Sequence, residues 1–270
     1  MITVHIDEQF KILDTMIAKA EASLRKGPKG IVNVVRCHGT NQYYYKEVSS
    51  EVHGKYISKK NIALAAALVQ RDYDREFLAA ASAERKRLLQ MKKNGCERNI
   101  SLMYACLSRI YEDSTEGRRV LIKPYLLPDE QYVRKWEAYE YQGHSFADDV
   151  PEIFSEKGER VRSKSEKMIA DKLALMKIPY RYECPLDIGK GFSYHPDFTI
   201  LDIRERKQII YEHFGKMQDE KYARDALGKI RDYQKAGLRR GENFIFTMES
   251  SDCPLDMRLF ERMLRERLFN

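Results

Sequence analysis

Glycine and proline are scarce in this 270-residue chain, 14 and 8 respectively. Together with 43% hydrophobic and 33% charged residues, that excludes collagen-like, low-complexity and disordered classes. Long apolar runs are missing too. The longest uncharged apolar stretch, residues 62–69, is less than half of the roughly 18 residues a membrane span needs. Residues 1–11 hold no apolar signal segment, so the expectation is a cytoplasmic protein without a membrane partner. Five cysteines (Cys37, Cys96, Cys106, Cys184, Cys253) form no C-x-x-C pair, which argues against a disulfide framework or a zinc module and predicts reduced, mostly buried thiols. No G-x-x-x-x-G-K-[S/T] loop, H-E-x-x-H helix or G-x-S-x-G elbow occurs. ATPase, zinc-protease and α/β-hydrolase readings therefore lack support.

What is present is a basic balance, with 48 Lys+Arg against 41 Asp+Glu for a net charge of +7. This favours a polyanionic partner. The excess is spread over both halves of the chain, so a nucleic-acid surface has to be built by folding.

Hydrophobic periodicity divides the chain in two. Over residues 7–25, Phe10, Leu13, Ile17, Ala20 and Leu24 recur at helical spacing. Residues 31–36 and 42–46, separated by a turn around Gly39, predict a β-hairpin. Residues 61–93 predict a long helix, read as packing on the first helix; a coiled-coil homodimer is the alternative, and the oligomeric state stays open. Shorter helices are expected at 101–111 and 132–141. Between Gln142 and Gly158 the periodicity stops, which sets the expected domains at 1–145 and 146–270. The second half predicts helix 165–176, strand 180–185, a turn at Gly189-Lys190-Gly191, strands 194–202 and 208–214, helix 219–236, strand 243–248 and helix 256–268. The expected class is α/β.

Two acids stand out in this second half. Asp197, in Pro196-Asp197-Phe198, and Glu212, between Tyr211 and His213, both lie in apolar strands, where an unpartnered carboxylate is costly to bury. A turn at residues 204–207 would make these strands a hairpin, and side-chain alternation lets both acids face one side. Clustered carboxylates repel unless a positive charge lies between them. Hard oxygen donors suit Mg²⁺ or Mn²⁺.

With these residues the carboxyl-terminal half resembles the PD-(D/E)XK, restriction-endonuclease-like nuclease superfamily, over about residues 161–248. It looks most like a bacterial branch with a PDF…EHFG…K…Y pattern, here Pro196-Asp197-Phe198, Glu212-His213-Phe214-Gly215, Lys229 and Tyr233. The resemblance implies an αβββαβ core and a metal-dependent endonuclease acting on nucleic acid, with DNA as the first expectation. It implies Asp197 and Glu212 as metal ligands, with Glu166 on the preceding helix as a further or water-mediated one. The family's lysine two residues after the second acid is absent, because Phe214 stands there. Lys229 on the next helix is then the expected catalytic ammonium, with Lys216 as second candidate. His213 points to the face opposite Glu212 in a regular strand.

Other readings stay open. Ser163-Lys164-Ser165-Glu166 is a capping-box sequence, so Glu166 has a structural reading as well. In the first half, Tyr44, Lys55, Lys59 and Lys60 interleave rings with ammonium groups near the hairpin, as stacking and phosphate contacts require. Strand propensity and edge protection explain the same residues blandly. Tyr233, four residues after Lys229, is grouped with the nucleic-acid contacts. The rivals to a nuclease are a nucleic-acid-binding module that lacks cleavage and a protein-interaction adaptor.

Overall fold

A computed structural model describes residues 2–94, 102–146, 151–189 and 193–269. Cys96, Lys190, Gly191 and part of the 142–158 break lie outside them. The chain is mixed α/β and forms two compact units, Met1–Pro128 and Asp129–Asn270.

The first unit runs α1 (Ile2–Lys26), β1 (Ile31–Cys37), β2 (Thr40–Lys46), β3 (Lys55–Tyr56), a 3₁₀ turn (Lys59–Asn61), α2 (Ile62–Asn94), α3 (Leu102–Glu112) and α4 (Glu116–Arg119). Leu13, Met16 and Ala20 of α1 are buried in one cluster with Leu68, Phe77 and Leu88 of α2, joined by Val32 and Tyr43 from the hairpin. His38 and Gly39 both have positive φ, 47° and 75°. They form the two-residue loop between Cys37 and Thr40, the conformation that matches strand twist in a hairpin. Strand β3 extends the sheet to three strands, in the order β1-β2-β3; at two residues it is too short for periodicity to reveal.

The second unit begins with α5 (Asp129–Glu137), upstream of the composition change at Gln142. Side-chain contacts place it there. Arg181 stacks 4.0 Å over Trp136, and Arg206 pairs with Asp129 at 3.1 Å. Then follow β4 (Ile153–Phe154), β5 (Arg160–Val161), α6 (Lys164–Leu175), β6 (Tyr180–Tyr182), β7 (Leu186–Asp187), β8 (Ser193–Tyr194), β9 (Phe198–Asp202), β10 (Lys207–Phe214), α7 (Glu220–Lys235), β11 (Phe244–Met248) and α8 (Met257–Leu268).

The main sheet has the order β11-β10-β9-β6. Strand β10 is antiparallel to β9 and parallel to β11. Its alternate residues serve two layers. Ile209 and Tyr211 join Ile169 and Leu173 of α6 and Phe260 and Leu264 of α8, while Ile210 packs with Tyr233 of α7 and with Phe244. Truncating a fully buried ring such as Phe198 should cost about 3–5 kcal/mol.

Two expectations are corrected. The strand expected over 194–202 is divided, because Pro196 has no N–H to donate to a ladder; β8 pairs with β7 and β9 with β10. Among the described cysteines, all free, Cys184 is buried while Cys106 and Cys253 are exposed. The outward side of α3 and the turn after β11 carry the exposed pair.

Candidate metal and catalytic site

The site is set by the register of the β9–β10 hairpin. Tyr211 pairs with Phe198, and one further step sets Asp197 opposite Glu212, on the sheet face that carries α7. The ladder stops there because the next residue is Pro196. The His213 amide donates instead to Asp197 Oδ2 at 2.6 Å, and the Glu183 amide donates to the Asp197 carbonyl at 3.1 Å. Asp197 is thereby fixed by backbone on both sides, yet it keeps partial solvent access.

Glu212 is 2% exposed. Its Oε1 accepts a hydrogen bond from Tyr233 Oη at 2.6 Å and meets Lys229 Nζ at 2.7 Å. Lys229 and Tyr233 both come from α7, one helical turn apart, so a single helix face supplies both partners. The Lys229 ammonium also lies 5.8 Å from the centroids of the Tyr194 and Tyr233 rings. Phe214, in the position where the resembled family has its lysine, is 3% exposed and packs edge-to-face on Phe246. An ammonium there would be buried among rings; from α7 it arrives with water on one side, since the Lys229 side chain is 24% exposed.

The electrostatics follow from burial. Desolvation first, and then the Glu212 charge, push the Asp197 carboxyl well above the usual carboxylate range, with Lys229 opposing and Glu166 adding to the rise. Glu212 is also raised by burial, against the pull of Lys229 and Tyr233. Tyr222, whose hydroxyl accepts the Gly215 amide at 3.3 Å, is raised chiefly by burial and further by the same three acids.

Glu166 is placed differently from the first two acids. Its Oε1 accepts from Ser163 Oγ at 2.9 Å, and its Oε2 accepts from the Arg162 amide at 2.9 Å and Tyr182 Oη at 2.6 Å. The Glu166 amide donates back to Ser163 Oγ at 3.1 Å. Both carboxylate oxygens are thus engaged, by the start of α6 and by Tyr182 of β6; Ser163 caps the Glu166 amide, while the return bond of Glu166 goes to Arg162, one residue before the cap. Among the described residues no group of three or more His, Cys, Asp or Glu side chains could hold a metal ion, so a direct three-acid ligand set with Glu166 is not formed.

The remaining expected site residues separate clearly. Lys216 is exposed on the turn after β10 and pairs with neither acid. Tyr233 has no exposed surface, so it anchors Glu212 and is not a stacking platform for bases. His213 does face away from Glu212: its Nδ1 lies 2.8 Å from Thr247 Oγ1 and its Nε2 3.2 Å from Glu249 Oε1. Lys55, Lys59 and Lys60 are exposed and Tyr44 is half-buried, all in the other unit.

Sequence reasoning missed His195, whose ring lies tilted at 44° against His144 with centroids 3.9 Å apart. Burial and His144 lower its pKa, and the Lys229 charge adds to that fall. Its place directly before Pro196-Asp197 was the available signal.

Comparisons with protein families, with curated proteins and with solved structures find no match to this chain.

The donor set suits a hard divalent cation. Asp197 uses Oδ2 and Glu212 uses Oε1 for their close contacts within the protein, and the Asp197 amide also supports the Glu212 carboxylate. A dication between them would offset the burial that raises both carboxyls and the Glu212 charge that adds to the rise at Asp197. Mg²⁺ commonly binds through one or two carboxylates, with water and substrate phosphate completing the shell.

Proposed function

We propose that the second unit is a metal-dependent phosphodiesterase of the restriction-endonuclease-like type, an endonuclease whose preferred substrate is DNA. Asp197 and Glu212 would hold Mg²⁺ or Mn²⁺, with Glu166 acting through its charge. Such an ion supplies Lewis acidity at a phosphoryl oxygen and makes water a usable nucleophile at neutral pH.

One observation carries the reading: two acids opposed across a hairpin, with an ammonium from α7 on Oε1 of the second. Each remaining role belongs to a named group. The His213 amide orients Asp197, and Tyr233 orients Glu212. Lys229 opposes the burial-driven rise of the Glu212 carboxyl and offers a point charge on a flexible stem where phosphate gains negative charge during attack. The α–β–β–β–α–β order of α6, β6, β9, β10, α7 and β11 supports the same assignment.

The test is cleavage of supercoiled plasmid, single-stranded DNA and RNA with Mg²⁺ or Mn²⁺, each against a chelator control. Metal-dependent nicking is expected. Absence of cleavage in every arm, with nucleic-acid binding retained, would assign a non-cleaving binding module instead.

A further inference from the structure

The first unit carries a surface that the reading of Asp197 and Glu212 leaves unused. Tyr56 is 58% exposed, unusually open for a large ring on a sheet. It is not loose. Strand β3 pairs Tyr56 with Tyr44, and the two rings meet edge-to-face with centroids 5.7 Å apart. Tyr44 is itself held by its hydroxyl, which donates to Gln42 Oε1 at 2.7 Å. On the other side Ile57 is 5% exposed, and its amide donates to the Tyr43 carbonyl at 2.8 Å. Gly54 permits this close lie: a Cβ there would stand 2.9 Å from Tyr44 Cβ and 3.1 Å from the Tyr45 carbonyl.

Around this braced ring stand three ammonium groups. Lys55 precedes it on β3, and Lys59 and Lys60 follow on the 3₁₀ turn; all three are exposed. None has an ion-pair partner among the described residues, whereas Arg36 on the same sheet is paired with Glu116 at 2.5 Å. The nearest acid in sequence, Glu51, is turned onto the Glu47 amide at 3.2 Å. The first turn of α2 brings no acidic side chain. The patch therefore joins a fixed, solvent-facing aromatic face to uncompensated positive charge.

We infer that this patch binds unpaired nucleic acid, with Tyr56 stacking on a base and Lys55, Lys59 and Lys60 meeting flanking phosphates. Duplex fits the ring poorly, because paired bases show their faces to one another and leave only backbone and groove edges. A single strand offers both a ring face and phosphates. Charge alone would attract any polyanion; the braced ring favours a ligand with bases. The inference does not depend on hydrolysis at Asp197.

The experiment uses the full chain in chelator, so that cleavage plays no part, and measures fluorescence anisotropy with labelled oligo-dT, a duplex of equal length and inorganic polyphosphate. Wild type should bind oligo-dT tighter than duplex. Tyr56→Ala should weaken oligo-dT about tenfold, within the range of one lost stacking contact, and leave polyphosphate unchanged. Lys55→Gln, Lys59→Gln and Lys60→Gln together should weaken oligo-dT and polyphosphate and flatten the salt dependence, each lost phosphate contact removing about 0.7 from the single-strand log–log slope. Circular dichroism and melting of each variant identify loss of fold, and Tyr56→Phe, which keeps the ring, should bind as wild type. Wild-type affinity in a folded Tyr56→Ala, or no binding of oligo-dT by the wild type, would overturn the inference. Equal sensitivity of polyphosphate and oligo-dT to Tyr56→Ala would overturn it as well.

Discussion

Lys229 Nζ stands 2.7 Å from Glu212 Oε1, an ion pair that ties helix α7 to the inner strand β10. If that charge serves the chemical step, Lys229→Met should slow cleavage by a factor on the order of 10² while DNA affinity changes little. Lys229→Arg should rescue little, since the planar guanidinium is larger and keeps its proton. Placing a lysine on the strand by Phe214→Lys is expected to destabilise the fold, because Phe214 is buried against Phe246. Single-turnover rates and chemical denaturation check these outcomes. Cleavage at the wild-type rate by Lys229→Met would contradict the assignment.

The raised Asp197 carboxyl makes a stability prediction with a definite sign. The folded state holds a proton that the unfolded chain releases near pH 4 (~3.9 for a free Asp). That contribution is complete below about pH 4 and is lost as pH rises through the higher folded-state value; the raised Glu212 acts in the same direction. Without metal, wild type should therefore lose stability relative to Asp197→Asn between pH 4 and pH 8. Asn still offers an oxygen to the His213 amide. At pH 8 the asparagine variant should melt higher than wild type. Mn²⁺ should raise the Tm of wild type and not of the variant. Parallel pH curves would contradict the burial of a charge at this position.

Glu166 differs from Asp197 and Glu212 in having both carboxylate oxygens tied to the start of α6 and to Tyr182. Its bonds to Ser163, Arg162 and Tyr182 predict that Glu166→Ala costs about 1 kcal/mol through the cap of α6 and keeps the Mn²⁺-induced rise in Tm. Thermal melts with and without Mn²⁺ decide the point. A variant of unchanged stability that no longer responds to Mn²⁺ would make Glu166 a ligand.

How much of this was legible in the sequence differs from residue to residue. Alternation and the turn before Lys207 put Asp197 and Glu212 on one face, because strand register is a local, two-residue rule. The same rule turned His213 away. Helix periodicity placed Lys229 and Tyr233 on one side of α7, but not that Tyr233 is fully buried; that depends on how Ile210 and Phe244 pack around it. The division at Pro196 was readable from the missing N–H alone. The position of α5 was not, since the stacking of Arg181 on Trp136 joins residues far apart in the chain. Likewise the pairing of β3 with β2 rests on Gly54 and a buried Ile57, and a two-residue strand has no period to detect.

The most direct measurement is the Mn²⁺-dependent cleavage rate of supercoiled plasmid by wild type and by Asp197→Asn, on protein shown by circular dichroism to be folded. The account predicts nicking by wild type that chelator abolishes, and a rate at least about 10² lower for the variant. Equal cleavage by both proteins, or none by wild type with either Mg²⁺ or Mn²⁺, would contradict it.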